Sequence, residues 1–205
     1  MLSLRKPSES EIISYLIAQK GQPFSYSEVG ATKSSAPAGY SVDRHRELLG
    51  YGMDTFERAK LAVQRWQMFP VQMTELCWPD KAIEPETIVA VLARAPGFWT
   101  LNPCRVVYVI DEVAPCGNDE VFRFGFAYGT LPDHLECGEE RFCVEWNSGN
   151  DRVHYDLLSF SKPQNLVARV GYPLVRKAQA RFRRLSAKAM RTAVQSSEAI
   201  MAGHI

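Results

Sequence analysis

The sequence predicts an α+β fold in which an antiparallel meander is covered by helices on one face. Three observations lead there: short β-rich runs fill the middle of the chain, turn dipeptides separate them, and a long amphipathic segment follows the last one. The elements are taken here in chain order. Ser8 to Lys20 reads as a short helix, with Ser8 or Ser10 as cap, Ile12, Ile13, Leu16 and Ile17 as its apolar stripe, and Gly21 as its stop. "GATKSSAPAG" (30–39) has loop composition, and "YSVDRHRELL" (40–49) fits strand or helix equally. Gly50 and Gly52 frame a turn into a second helix through "DTFERAKLAVQRWQM", with Asp54 as N-cap, Glu57 completing a capping box and Pro70 closing it.

Strands are expected over 87–95, 105–111, 121–130, 141–146 and 153–160, with Asn-Pro, Pro-Cys-Gly-Asn, Leu-Pro-Asp and Asn-Ser-Gly-Asn as the turns. Connections this short join neighbouring antiparallel strands. Alternation puts Phe122, Phe124, Phe126, Tyr128 and Thr130 on one face and Arg123, Gly125, Ala127 and Gly129 on the other. Matching stripes are Val106, Tyr108 and Ile110; Phe142, Val144 and Trp146; and Val153, Tyr155 and Leu157. Such stripes describe either a filled aromatic core or a hollow one with tyrosine hydroxyls as its polar fixtures. Pro163 to about Gln195 reads as the closing helix: Leu166, Val170, Leu174, Ala178, Phe182, Leu185 and Ala189 step by three or four residues, and Gly171 and Pro173 predict a kink near its start.

Net charge of +1 gives no overall attraction to nucleic acid or anionic membranes. The N-terminus lacks a secretory signal, no apolar run is long enough to span a membrane, and five cysteines without a C-x-x-C form neither a disulfide framework nor a zinc knuckle. A cytoplasmic protein with mostly buried cysteines is expected. The closing segment is locally basic, with Lys177, Arg181, Arg184, Lys188 and Arg191 on one stripe and no acid between Pro163 and Gln195. A solvated face is the plainer explanation; a weak contact with an anionic partner is the alternative. No aromatics interleave there, so specific nucleic-acid binding is not expected.

"FGFAYGTLPDHLECGEERFCVEW" (124–146) concentrates titratable groups. His134-Leu135-Glu136 has the H-x-E of zinc deaminases without the P-C-x-x-C that supplies their thiolates, so neither a metal nor another cofactor is expected. Glu139 and Glu140 are adjacent and face opposite sides of a strand, so they cannot form a close carboxylate pair. His134 with Glu139 or Glu140 remains a candidate acid–base set.

"LGYGMDTFERAKLAVQRWQMF", "LNPCRVVYVID", "RFGFAYGTLPDH", "GEERFCVEW", "FSKPQNLVARVGYPLVRKAQARF" and "SAKAMRTAV", in that order, resemble an uncharacterised domain-of-unknown-function family of bacteria and plants. The family is similar in turn to the START-like and pollen-allergen-like helix-grip superfamily. The resemblance runs from about Phe24 to Val194 and implies a curved antiparallel sheet wrapped around a long C-terminal helix and a cavity. It also favours a strand over 40–49. The implied organisation is a short N-terminal helical extension (1–23), one helix-grip domain (24–196) and a flexible tail (197–205), as monomer or homodimer. The implied activity is binding of an apolar or amphipathic small molecule. Arg105, Tyr108, Tyr128 and Thr130 would orient its polar end, and Phe124, Phe126 and Trp146 would enclose its body. A hydrolase- or cyclase-like enzyme is the alternative.

Overall fold

The computed structural model describes residues 1–78, 81–95, 97–164 and 172–202, with side chains described through Ser196 except at Ala95. The elements are β1 (Leu2–Ser3), α1 (Glu9–Ala18), β2 (Ser41–Tyr51), α2 (Met53–Gln64), β3 (Thr74–Cys77), β4 (Ile88–Ala95), β5 (Phe98–Cys116), β6 (Asp119–Thr130), β7 (Glu136–Asn147), β8 (Arg152–Pro163) and α3 (Tyr172–Ala202). All strand pairs are antiparallel, in the order β2-β8-β7-β6-β5-β4-β3, with β1 added beside β5. The curved sheet and long C-terminal helix make this a helix-grip arrangement.

Residues 40–49 resolve as strand: β2 pairs with β8 from Ser41 to Tyr51. The Ser8 cap of α1 is present, and Glu11 reaches back to close a capping box that satisfies two end donors. The cap of α2 differs from expectation. Gly52, at φ 85°, occupies the N-cap position, because the chain leaving β2 turns through a left-handed backbone that glycine tolerates and aspartate adopts less readily. Asp54 lies inside the first turn, where its charge complements the helix dipole. The helix also stops at Gln64, well short of Pro70. Trp66 takes a positive φ of 57° and turns its ring into the core, with Nε1–H donating to the Lys81 carbonyl at 3.0 Å.

Three further expectations are corrected. Asn102-Pro103 is no turn: it sits inside the 19-residue β5. Proline is tolerated because the β6 ladder begins only at Cys104, so on that side no partner needs its missing N–H, while its carbonyl accepts from the Leu131 N–H at 3.1 Å. Secondly, the pairing of β5 with β6 shifts register between Val106 and Tyr108. That bulge inserts one residue, so Val106 faces the helices while Tyr108 and Ile110 face outward. Thirdly, Pro163 ends β8, and the closing helix begins at Tyr172. Leu166, Val170 and Gly171 lie outside the described residues. Pro173 falls in the first turn of α3, where its missing N–H would be unpaired anyway.

The main core lies between the sheet's inner face and α2 with α3: Phe56, Ala59, Val63, Trp66, Met68 and Phe69 meet Val106, Phe126, Phe142, Val144, Tyr155 and Leu157, and Ala187, Met190 and Val194 of α3 close one side. Ile12 and Leu16 of α1 pack on Ala90, Leu92 and Leu101 in a second cluster. Cys77, Cys104, Cys137 and Cys143 are buried free thiols, and Cys116 is exposed.

Candidate functional site

The residues expected to form one site are divided between the two faces of the sheet. On the outer face, the segment 22–34 lies across β5, β6 and β7. Arg105 is buried there, donating to the Gln22 carbonyl at 3.0 Å and packing its guanidinium 4.3 Å from the Phe24 ring centroid. Tyr108, carried outward by the bulge, places its hydroxyl 2.6 Å from Thr32 Oγ1, and burial pushes its phenol up to about 12. Glu139 is the anchor of this cover. Its carboxylate accepts from Tyr26 Oη (2.7 Å), the Gly30 N–H (2.7 Å), the Thr32 N–H (3.0 Å) and the Thr32 hydroxyl. Gly129 permits this, since a Cβ there would collide with the Tyr26 hydroxyl. The lone pairs of Glu139 are met by backbone and hydroxyl donors, which suits a fastener. Arg105, Tyr108 and Glu139 are therefore outer-face residues.

Thr130 belongs to the rim. It accepts the Gly138 N–H at 2.9 Å and lies 2.6 Å from Ser25 Oγ, latching the covering segment to the sheet.

The inner face carries the remaining residues in two halves. Beneath α2 it is dry. Trp66 and Phe126 rings lie 4.8 Å apart, Phe126 and Phe142 5.3 Å, and Phe69 and Phe142 5.7 Å. Phe124 and Trp146 extend this half toward the 148–151 turn; Lys60 sits 4.9 Å over the Phe124 ring, and Trp146 donates to Asp151 at 3.1 Å. Alternation puts Phe124, Phe126 and Trp146 on this face, where Phe124 and Phe126 belong to the core cluster and Trp146 packs against it beside Phe122.

Beneath the first half of α3 the same face turns polar. Register puts Tyr128 opposite Glu140, and Glu140 opposite Ser159, which pairs in turn with Asp43. Tyr128 Oη donates to Glu140 at 2.7 Å. Four residues back along β7, Glu136 accepts from Ser161 at 3.1 Å and from Gln179 of α3 at 2.7 Å. Asp43 holds two guanidiniums of α3: Arg176, whose Nη2 is 2.8 Å from Oδ1, and Arg183 at 3.0 Å from Oδ2. Tyr172 donates to Ser41 at 2.7 Å at the end of the row.

Desolvation raises the Glu140 carboxyl to about 7 and raises Glu136 as well. The neighbouring carboxylates add to this, and the Tyr128, Ser161 and Gln179 donors oppose it. Glu140 and Glu136 lie deep among protein atoms, yet solvent still reaches both, along with Asp43, Ser159, Ser161, Gln179, Phe182 and Arg183. These partly buried polar side chains of β2, β8, β7 and the first turns of α3 form one cluster on the inner face.

His134 sits in the β6–β7 loop. Its Nδ1 accepts the Glu136 N–H at 3.0 Å, and burial depresses its pKa to about 4, so the imidazole is neutral at neutral pH. Glu139 is held instead by Tyr26, Gly30 and Thr32. No group of His, Cys, Asp and Glu suited to a metal occurs among the described residues, and no described helix is long and apolar enough to cross a membrane. Glu140 and Tyr128 were identifiable in the sequence. Asp43, Gln179, Arg183 and Ser161 were not: Asp43 and Arg176 are 133 positions apart, and no local pattern announces their meeting.

Residues 25–189 match the model of DUF1990, a domain of unknown function. A UPF0548 protein of Dictyostelium discoideum is 32% identical over 214 residues, spanning 97% of this chain and 98% of its own. A UPF0548 protein of Arabidopsis thaliana is 35% identical over 163 residues, spanning 78% and 76%. Among solved structures, the crystal structure of Ara h 8.0201 aligns with a TM-score of 0.46 at 10% identity, over 77% of this chain and 99% of that one.

Proposed function

The chain belongs to the DUF1990 family, and from that premise we infer that it binds an amphipathic small molecule in a crevice between the inner sheet face and α3. One observation carries this reading. Glu136 and Glu140 are held deep, with raised pKa values, where an all-apolar packing would be cheaper, and solvent still reaches them. Perturbed carboxyls in a concavity next to an aromatic wall are the signature of a recognition site rather than of a core. The polar end of the ligand sits among Tyr128, Glu140, Glu136 and Gln179, and its apolar body lies along the partly exposed Phe182, whose ring packs on Phe69. Arg105 and Tyr108 take no part, and Thr130 serves as a latch at the rim.

Native mass spectrometry of gently purified protein, with thermal shifts across a panel of amphiphiles, tests this. A retained adduct or a saturable rise in Tm is expected, reduced by Glu140→Ala and unchanged by Glu139→Gln. A flat response to every amphiphile contradicts it.

The value near 7 for Glu140 favours one second reading, in which the same crevice is an enzyme's and Glu140, hydrogen-bonded to Tyr128, moves the proton. Glu140→Gln would then abolish turnover of a bound compound while leaving its affinity in place; unchanged turnover would remove the idea.

A further inference from the structure

The cations of α3 fall into two sets, and only one is explained by the fold. Arg176 and Arg183 bind Asp43, and Arg191 binds Glu47 at 2.8 Å, so these three fasten the helix to β2. Lys177, Arg181, Arg184 and Lys188 are exposed and make no ion pair among the described residues. Their spacings of four, three and four residues place them on one line, about 16 Å long at 1.5 Å per residue. No acid occurs between Tyr172 and Ser196 to neutralise it. Leu174, with 72% of its surface open, and exposed Ala178 border the same line, so the outward face is a cationic row with an apolar margin.

We propose that this face docks α3 on an anionic lipid bilayer. Lys and Arg stems lie along an interface while their charged ends reach headgroups, and the apolar margin adds shallow insertion; both features match a peripheral surface helix. Nucleic acid fits less well, because the row carries no aromatic platform for bases. The helix that would touch the bilayer is the one whose inner side lines the crevice. Docking stands on the outer cations alone, independently of what the crevice holds.

Co-sedimentation of the whole chain with phosphatidylcholine vesicles, with and without phosphatidylserine, tests the surface. Partition to the phosphatidylserine vesicles alone is expected, weakening with added salt. Replacing Lys177, Arg181, Arg184 and Lys188 by Gln lowers partition about fivefold per residue, on the order of several hundredfold together. A control with Gln at Lys20, Arg65, Lys81 and Arg152, exposed cations away from α3, keeps wild-type partition. Should the quadruple variant not match the wild-type circular dichroism, the single variants K177Q and K188Q are read instead, each losing about fivefold. No preference for anionic vesicles, equal losses in the control, or capture of a DNA duplex with no vesicle binding overturns the proposal.

Discussion

The two halves of the inner face are built from the same strands and differ in what the helices set opposite them. Under α2, Trp66, Met68 and Phe69 meet Phe126 and Phe142, and nearly every side chain is sealed from water. Under the first half of α3, Gln179, Arg176 and Arg183 meet Glu136, Ser161 and Asp43, and these side chains stay only partly buried. Burial and dispersion hold the first half, and charge-assisted hydrogen bonds hold the second. On the proposed reading the division assigns stability to one half and recognition to the other, which makes it directly breakable by substitution.

The largest difference is expected at Phe69, whose ring contacts Trp66, Tyr128, Phe142 and Phe182. Phe69→Ala leaves a cavity and costs about 3–5 kcal/mol in denaturant unfolding. A loss under about 1 kcal/mol would mean the half under α2 is loosely filled. Asp43→Asn strips the countercharge from Arg176 and Arg183 and costs about 2 kcal/mol, less than for a sealed pair because Arg176 remains partly in solvent.

Glu140 gives an effect of opposite sign. The unfolded chain releases this proton near 4.5 and the folded one near 7, so between those values the folded state binds more protons and stability falls as pH rises. Glu140→Gln removes the penalty, stabilising the protein on the order of 2 kcal/mol above pH 7 and not at all below pH 4.5. His134 acts the other way: its lowered pKa makes stability fall as pH drops from 6.5 toward 4. Tm profiles of Glu140→Gln and His134→Gln over that range should therefore diverge in slope. Matching slopes would show that neither group is held away from its ordinary value. The smallest effect belongs to Gln179→Ala, which removes three partly exposed hydrogen bonds and costs about 1 kcal/mol.

Much of the dry half was legible in the sequence, because period-two alternation needs no knowledge of partners. Phe122 through Tyr128 sit on the face that alternation predicts, and the split between Glu139 and Glu140 follows from adjacency alone. What local pattern could not carry was anything set by one inserted residue or by distant chain. The β5 bulge lies within "RVVYVID", where no residue marks it, and it moved Tyr108 to the other face. Glu139 read as a candidate acid because its four donors come from Tyr26, Gly30 and Thr32, more than a hundred positions upstream. The polar half likewise depends on β2 lying beside β8 and α3 crossing both.

The crevice under α3 is tested most directly by a crystal structure of protein taken straight from its natural host. Continuous density for a small molecule is expected between β7, β8 and α3, with its polar end against Tyr128 and Glu140. Side chains of Glu136, Glu140, Gln179 and Phe182 closed on one another, with room for water alone, would contradict it.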